Sequence, residues 1–214
     1  MTPHPSDLIP QPLALPRRTT GETVRRPITS PPVPASAPQT LDAEVAERYA
    51  LLDRLGVPTT ESEQFDELAR AMAEATGFLY GFVNLFLAQQ TFVGLHQPDP
   101  GSGYVIVGRK MSRDHGWCPE VMKRRRALPL PDVHASPRFS GNPVVDAVGI
   151  RSYFGAPLIH ESGLVLGTAC VIDPERRPLS EATRLRDVVI DSGAQVMKHM
   201  THSAGGPLRT TRRP

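Results

Sequence analysis

Two cysteines, Cys118 and Cys170, are the only thiols in a chain of 214 residues. A thiol does chemistry when a helix N-terminus or a neighbouring cation depresses its pKa; otherwise a buried cysteine behaves as a small hydrophobe. Cys118 stands just before a short helical pattern, with Arg113 and His115 close by in sequence. Cys170 lies between Ala169 and Val171 inside an apolar run, where packing is the simpler reading. A metal set drawn from His115, Cys118 and His134 falls short of any recognised zinc spacing, so no metal ligands are assigned. The other polar candidates lie between residues 130 and 153. Asp132, Arg138, Asn142 and Arg151 form a set in which two guanidinium groups could grip an anion bidentately; the competing reading is an ion pair of Asp132 with Arg138 that braces the loop. Trp117 and Tyr153 either line a cavity or fill it.

These residues need elements to hold them. Val45, Tyr49, Leu52 and Leu55 repeat at helical spacing up to Gly56, and a second helix follows from about Ser62, with Phe65, Leu68, Ala69, Met72 and Ala75 as its buried stripe. The period then changes. Strands are predicted over 79–87 and 91–95, joined at hairpin length, with a third over Tyr104–Val107. Residues 109–150 read as irregular apart from a short helix near 119–125. Two long strands follow at 152–160 and 164–172 around the turn Glu161-Ser162-Gly163. A last helix begins at Ser180, with Leu185, Val188, Val189, Val196, Met197 and Met200 on its apolar face. Helices, hairpins, a long excursion, two strands and a closing helix make an α+β fold with an antiparallel sheet. The terminal helices should cover one face, and the excursion should cover the other or form a pocket.

The flanks differ in composition. Residues 1–39 carry ten prolines, and the end from Thr201 is Gly-, Pro- and Arg-rich; both read as disordered tails around a domain at 40–200. A formal charge of +2 gives no global argument for nucleic acid, and the run Arg124-Arg125-Arg126 lacks interleaved aromatics. No apolar run reaches membrane-spanning length and the first residues do not read as a leader, so a cytoplasmic protein is expected. Only three lysines against many arginines suggest a GC-rich bacterial genome.

Three segments carry a resemblance. Asp132-Val133-His134-Ala135-Ser136-Pro137-Arg138-Phe139-Ser140-Gly141-Asn142-Pro143 resembles D-A-x-x-D-P-R-F-x-x-N-P of bacterial GAF domains. Ile150-Arg151-Ser152-Tyr153-Phe154-Gly155-Ala156-Pro157-Leu158 is similar to I-R-F-Y-A-G-A-P-L, and Gly163 to Asp173 is similar to G-x-x-L-G-T-L-C-V-I-D. Gly116-Trp117-Cys118 stands where relatives read Ser-Phe-Cys. The resemblance implies about six antiparallel strands with helices on one face and a small-molecule cavity on the other. It implies a sensory or regulatory module, not an enzyme, that acts through a separate signalling partner. It places ligand contacts at Trp117, Cys118, Asp132, Arg138, Asn142, Arg151 and Tyr153, with the ligand and any cofactor unknown. The cyclic-nucleotide motif and the bilin-attaching Cys-His pair of two GAF branches do not occur. A homodimer through the terminal helices is expected, with Val45, Leu52, Leu185, Val189 and Val196 as the apolar supply. The alternative implied by another branch is a thiol enzyme that reduces free methionine sulfoxide; a third is a scaffold without ligand.

Overall fold

A computed structural model describes residues 41–202. The expected tail at 1–39 lies outside the described residues, as does the other expected tail from Ser203 onward; its first two residues, Thr201 and His202, continue the last helix. Six strands pair antiparallel in the order β3-β2-β1-β6-β5-β4. They are β1 (Tyr80–Phe86), β2 (Gln90–His96), β3 (Lys110–Met111), β4 (Leu128–Leu130), β5 (Ser152–Ile159) and β6 (Val165–Asp173). Alternation along the strands sorts side chains to two faces. Val83, Leu85, Phe154, Ala156, Leu158, Ala169 and Val171 join a core with α1 (Leu41–Arg54), α2 (Glu63–Thr76) and α6 (Ala182–His202). Phe82, Tyr153, Cys170 and Ile172 belong to a second core under the excursion, which carries α3 (Cys118–Arg124), α4 (Pro137–Ser140) and α5 (Pro143–Val148).

Small residues let α2 lie close on the sheet. A Cβ at Gly81 would sit 2.2 Å from the Ala69 carbonyl oxygen, a backbone atom that cannot step aside. On the far edge of the helical layer, the buried Arg48 donates to the carbonyls of Val165 (2.8 Å) and Phe86 (3.3 Å) and pairs with Glu44 (3.2 Å). It ties α1 to the adjoining ends of β1 and β6 without leaving a buried charge unpaired.

The third strand falls elsewhere than predicted. Tyr104–Val107 is not a strand; Tyr104, Val105 and Ile106 are exposed. The backbone there finds side-chain partners: the Val105 carbonyl accepts from the Tyr80 hydroxyl (2.8 Å), and Val107 N–H donates to Gln97 Oε1 (2.8 Å). The sheet edge is taken by Lys110–Met111 instead. The opposite edge, β4, lies in the stretch read as irregular. Pro129 at its centre masks it in sequence, and an edge strand tolerates a proline because one side of the ladder is unused. The last helix is preceded by a 3-10 turn at Leu179–Glu181, so Ser180 does not cap it. Leu52, Leu185, Val189 and Val196, expected to feed a dimer surface, are buried in the chain's own core; the exposed large apolar residues of the terminal helices are Leu41, Tyr49 and Ile190.

Candidate functional site

The second face encloses a cavity of about 140 Å³. The sheet supplies its floor: Phe82 from β1, Phe92 from β2, Cys170 and Ile172 from β6, and Tyr153 from β5. Their positions follow from register, since Phe82 pairs with Cys170 and Tyr153 with Ile172. The excursion supplies the roof, with Trp117 and Cys118 at the start of α3, Val144 and Val148 on α5, and Ile150 beyond it. Gly108 and Lys110, both exposed, stand at the mouth. The lining is mostly carbon, which favours an apolar occupant.

The polar features are concentrated at one point. Cys118 Sγ lies 3.7 Å from Cys170 Sγ and 3.6 Å from the Tyr153 hydroxyl. All three side chains are buried, and both cysteines are free thiols. The Cys118 thiol is lowered to about 6, first because Cys170 hydrogen-bonds to it; burial opposes this, and Thr168, Tyr153 and Asn84 add to the lowering. Cys170 is pushed well above its ordinary value, chiefly by the same bond to Cys118. Burial, and then the charge of Cys118, raises Tyr153 well above the ordinary tyrosine range, so its hydroxyl stays a proton donor. Only the thiolate is nucleophilic. The rate of Cys118 modification by methyl methanethiosulfonate should therefore rise with pH through about 6, against about 8.5 for an unperturbed thiol. Peptide mapping of reactions quenched between pH 5 and 9 reads the midpoint.

Tyr153 reaches the thiols because of a glycine. A Cβ at Gly155 would lie 2.1 Å from the Tyr153 hydroxyl oxygen; the phenol lies flat across the bare backbone of its own strand. The Trp117 ring sits 5.3 Å from the Tyr153 ring, and its Nε1 donates to the Phe139 carbonyl at 3.1 Å. Trp117 is thereby fixed between the floor and the excursion.

A buried polar chain holds the roof in place. Asn84 Nδ2 donates to Gln90 Oε1 (2.9 Å), and Gln90 Nε2 donates to the carbonyls of Ser112 and His115, both at 2.7 Å. Asn142 Oδ1 accepts from Gly116 N–H (3.0 Å), and its Nδ2 donates to the Gly116 carbonyl (2.6 Å). These bonds pin residues 112–116, which set the position of Trp117 and Cys118. Gln90→Leu leaves Asn84 Nδ2 with only the longer contact to Thr168 Oγ1 (3.4 Å) and takes a buried donor away from the carbonyls of Ser112 and His115. It should cost about 1–3 kcal/mol in urea unfolding, a penalty that Ser112→Ala, which keeps the carbonyl, does not reproduce.

The structure divides the sequence-derived candidates. Trp117, Cys118 and Tyr153 meet at the cavity. Asn142 lies beside it as a clamp on Gly116 and caps α5 through Val144 N–H. Asp132, Arg138 and Arg151 do not line it. The bracing pairs are Asp132–Arg151 (3.4 Å) and Arg138–Glu120 (2.5 Å), not Asp132–Arg138. Burial would raise Asp132, but the His134 N–H and Arg151 bring it below the usual carboxylate range. Arg113 turns away from Cys118 to the carbonyls of Phe86 and Leu87; hydrogen bonds, not a cation, act on that thiol. Among the described residues, no three His, Cys, Asp or Glu side chains gather to hold a metal, and His115, Cys118 and His134 do not do so. Cys170 reads from sequence as a packing residue, and Gly155, Asn84 and Gln90 are not candidates there. The pairing of Phe82 with Cys170 in adjacent hairpins is the available signal, through strand alternation.

Residues 60–190 match the model of the GAF domain family. A segment of 84 residues, 38% of this chain, is 39% identical to a cyclic di-GMP phosphodiesterase of Pseudomonas aeruginosa; it spans 14% of that protein's length. Among solved structures, the fold is similar to the GAF domain of an Acinetobacter phosphoenolpyruvate-protein phosphotransferase, with 15% identity, a TM-score of 0.51, and 79% of this chain and 99% of that one covered. It is also similar to an A. aeolicus GAF domain described in an inactive state, with 13% identity, a TM-score of 0.50, and 72% and 93% covered. No described helix is long and apolar enough to cross a membrane.

Proposed function

The chain belongs to the GAF domain family, and from that premise we propose that it is a non-catalytic sensory or regulatory module whose cavity binds a small, mostly apolar molecule. The cavity itself is the observation that carries this reading. A cavity of about 140 Å³ compares with the engineered one of about 150 Å³ that takes benzene. The occupant is therefore of single-ring size, with at most one polar group, directed either at the Cys118–Tyr153 corner or out past Lys110. The signal leaves through the excursion. Trp117 touches the cavity and bonds to Phe139, so an occupant that moves the indole moves the outer surface near α4.

Native mass spectrometry of the protein purified from its own host, with an absorption spectrum, tests the reading. A non-covalent adduct of single-ring mass supports it. A Soret band or a large polar adduct overturns it. The sensed state passes to a separate signalling partner, and Leu41, Tyr49 and Ile190, exposed on α1 and α6, support self-association through the terminal helices. Light scattering at tens of micromolar should then give twice the chain mass; a clean monomer removes the dimer.

A further inference from the structure

We propose that Cys118 and Cys170 form an oxidisable thiol pair in the cavity wall, a site where a small hydroperoxide is reduced and the two cysteines close to a disulfide. The inference lies in the same cavity but rests on the sulfur geometry, not on the presence of a resident ligand.

Four observations support it. The sulfurs are 3.7 Å apart although 52 residues separate them in sequence, and closure to a disulfide needs about 2.05 Å. Cys118 is the first residue of α3, at the end of the segment that Gln90 and Asn142 hold in place over the cavity. Cys170 faces it from mid-strand, between β1 and β5. Both thiols line a cavity whose mouth is open at Gly108 and Lys110, a route for a small oxidant. The Tyr153 hydroxyl, 3.6 Å from Cys118 Sγ, stands where a leaving oxygen needs a proton.

The chemistry balances with the hydroperoxide as the oxidant. The Cys118 thiolate attacks the distal peroxide oxygen; an S–O bond forms and the O–O bond breaks. The leaving alkoxide takes the Tyr153 proton and departs as an alcohol, or as water when the oxidant is hydrogen peroxide. Tyr153 regains from solvent at the mouth the proton that Cys118 released when it ionised, and the sulfenic acid keeps its own. The Cys170 sulfur then displaces hydroxide from the Cys118 sulfenic acid, and the Cys170 proton completes a water molecule. Two thiols have lost two electrons and two protons. Cys118 attacks and Cys170 resolves, because the Tyr153 hydroxyl that serves the leaving oxygen stands 3.6 Å from Cys118 Sγ. A disulfide across the floor removes a hydrogen-bonding corner and draws α3 toward β6, so the cavity changes shape with redox state.

The test treats the full reduced chain with stoichiometric cumene hydroperoxide and follows intact mass, peptide maps and Trp117 fluorescence. The wild type should lose about 2 Da with a Cys118–Cys170 crosslink, and Cys170→Ala should instead gain about 16 Da at Cys118, trapped by dimedone. Cys118→Ser should leave Cys170 reduced on the time scale that oxidises the wild type. Tyr153→Phe should slow the first step by on the order of tenfold or more while ending at the same disulfide. Over-oxidation without a crosslink, or oxidation of Cys170 at the wild-type rate in Cys118→Ser, overturns the proposal. Circular dichroism of each variant separates loss of chemistry from loss of fold. The adduct test described above is run on the reduced protein, so the ligand reading and the thiol reading fail separately.

Discussion

Asp173→Ala should lower stability by about 3–5 kcal/mol, roughly 10 °C or more in melting temperature for a domain of this size. Asp173 is buried at the end of β6 and answers three donors. Leu79 N–H reaches Oδ2 at 3.0 Å, Glu175 N–H reaches Oδ1 at 2.8 Å, and Arg177 pairs with Oδ2 at 2.8 Å. The Arg177 guanidinium also lies 4.3 Å over the Phe78 ring and donates to the Gly77 carbonyl. One carboxylate thus joins the entry of β1 to the exit of β6. Removing it leaves a mostly buried guanidinium without its counter-ion and two backbone donors without that acceptor. Urea unfolding measures the loss, and a change under about 1 kcal/mol would show that the junction does not depend on these donors.

Gly155→Val carries the second large effect, about 3 kcal/mol, and it acts directly on the site. The new Cβ would meet the Tyr153 hydroxyl oxygen at 2.1 Å and Cζ at 2.6 Å. The ring cannot retreat, because Trp117 packs on it and the two thiols close its far side. In a Tyr153→Leu background the same substitution should cost much less, giving a coupling of about 1–2 kcal/mol in a double-mutant cycle. Additive costs would place the strain elsewhere than between these two residues.

Several features of the molecule are legible in sequence for physical reasons. The apolar stripe of α2 and the near-continuous apolar runs of β5 and β6 report burial, and burial sets the layers. Trp117, Cys118 and Tyr153 are legible through the family resemblance, and the structure places them together at the cavity. The thiol pair is not legible, because the approach of Cys118 to Cys170 is created by the packing of α3 on β6. Gly155 reads as a weak strand residue until Tyr153 is seen lying across it. Gln90 reads as a hairpin linker, yet it is fully buried and holds the loop before Trp117. Asp132 and Arg138, six residues apart, read as partners; a 3-10 turn intervenes, and Arg138, on α4, pairs with Glu120 on α3. Local spacing reports elements well, but which charged groups meet is settled by how those elements pack.

The central claim is that the space beneath Trp117 takes a small apolar molecule. It is tested most directly by the thermal midpoint of the reduced protein as toluene is added. A ligand that binds only the folded state raises the midpoint with concentration, by about 2.7 kcal/mol of stabilisation at a hundred times Kd. The midpoint should rise in this way in the wild type, with a matching change in Trp117 fluorescence, and should stay fixed in Val148→Phe, which fills the cavity from α5. A midpoint that does not move, or one that moves equally in Val148→Phe, would contradict it.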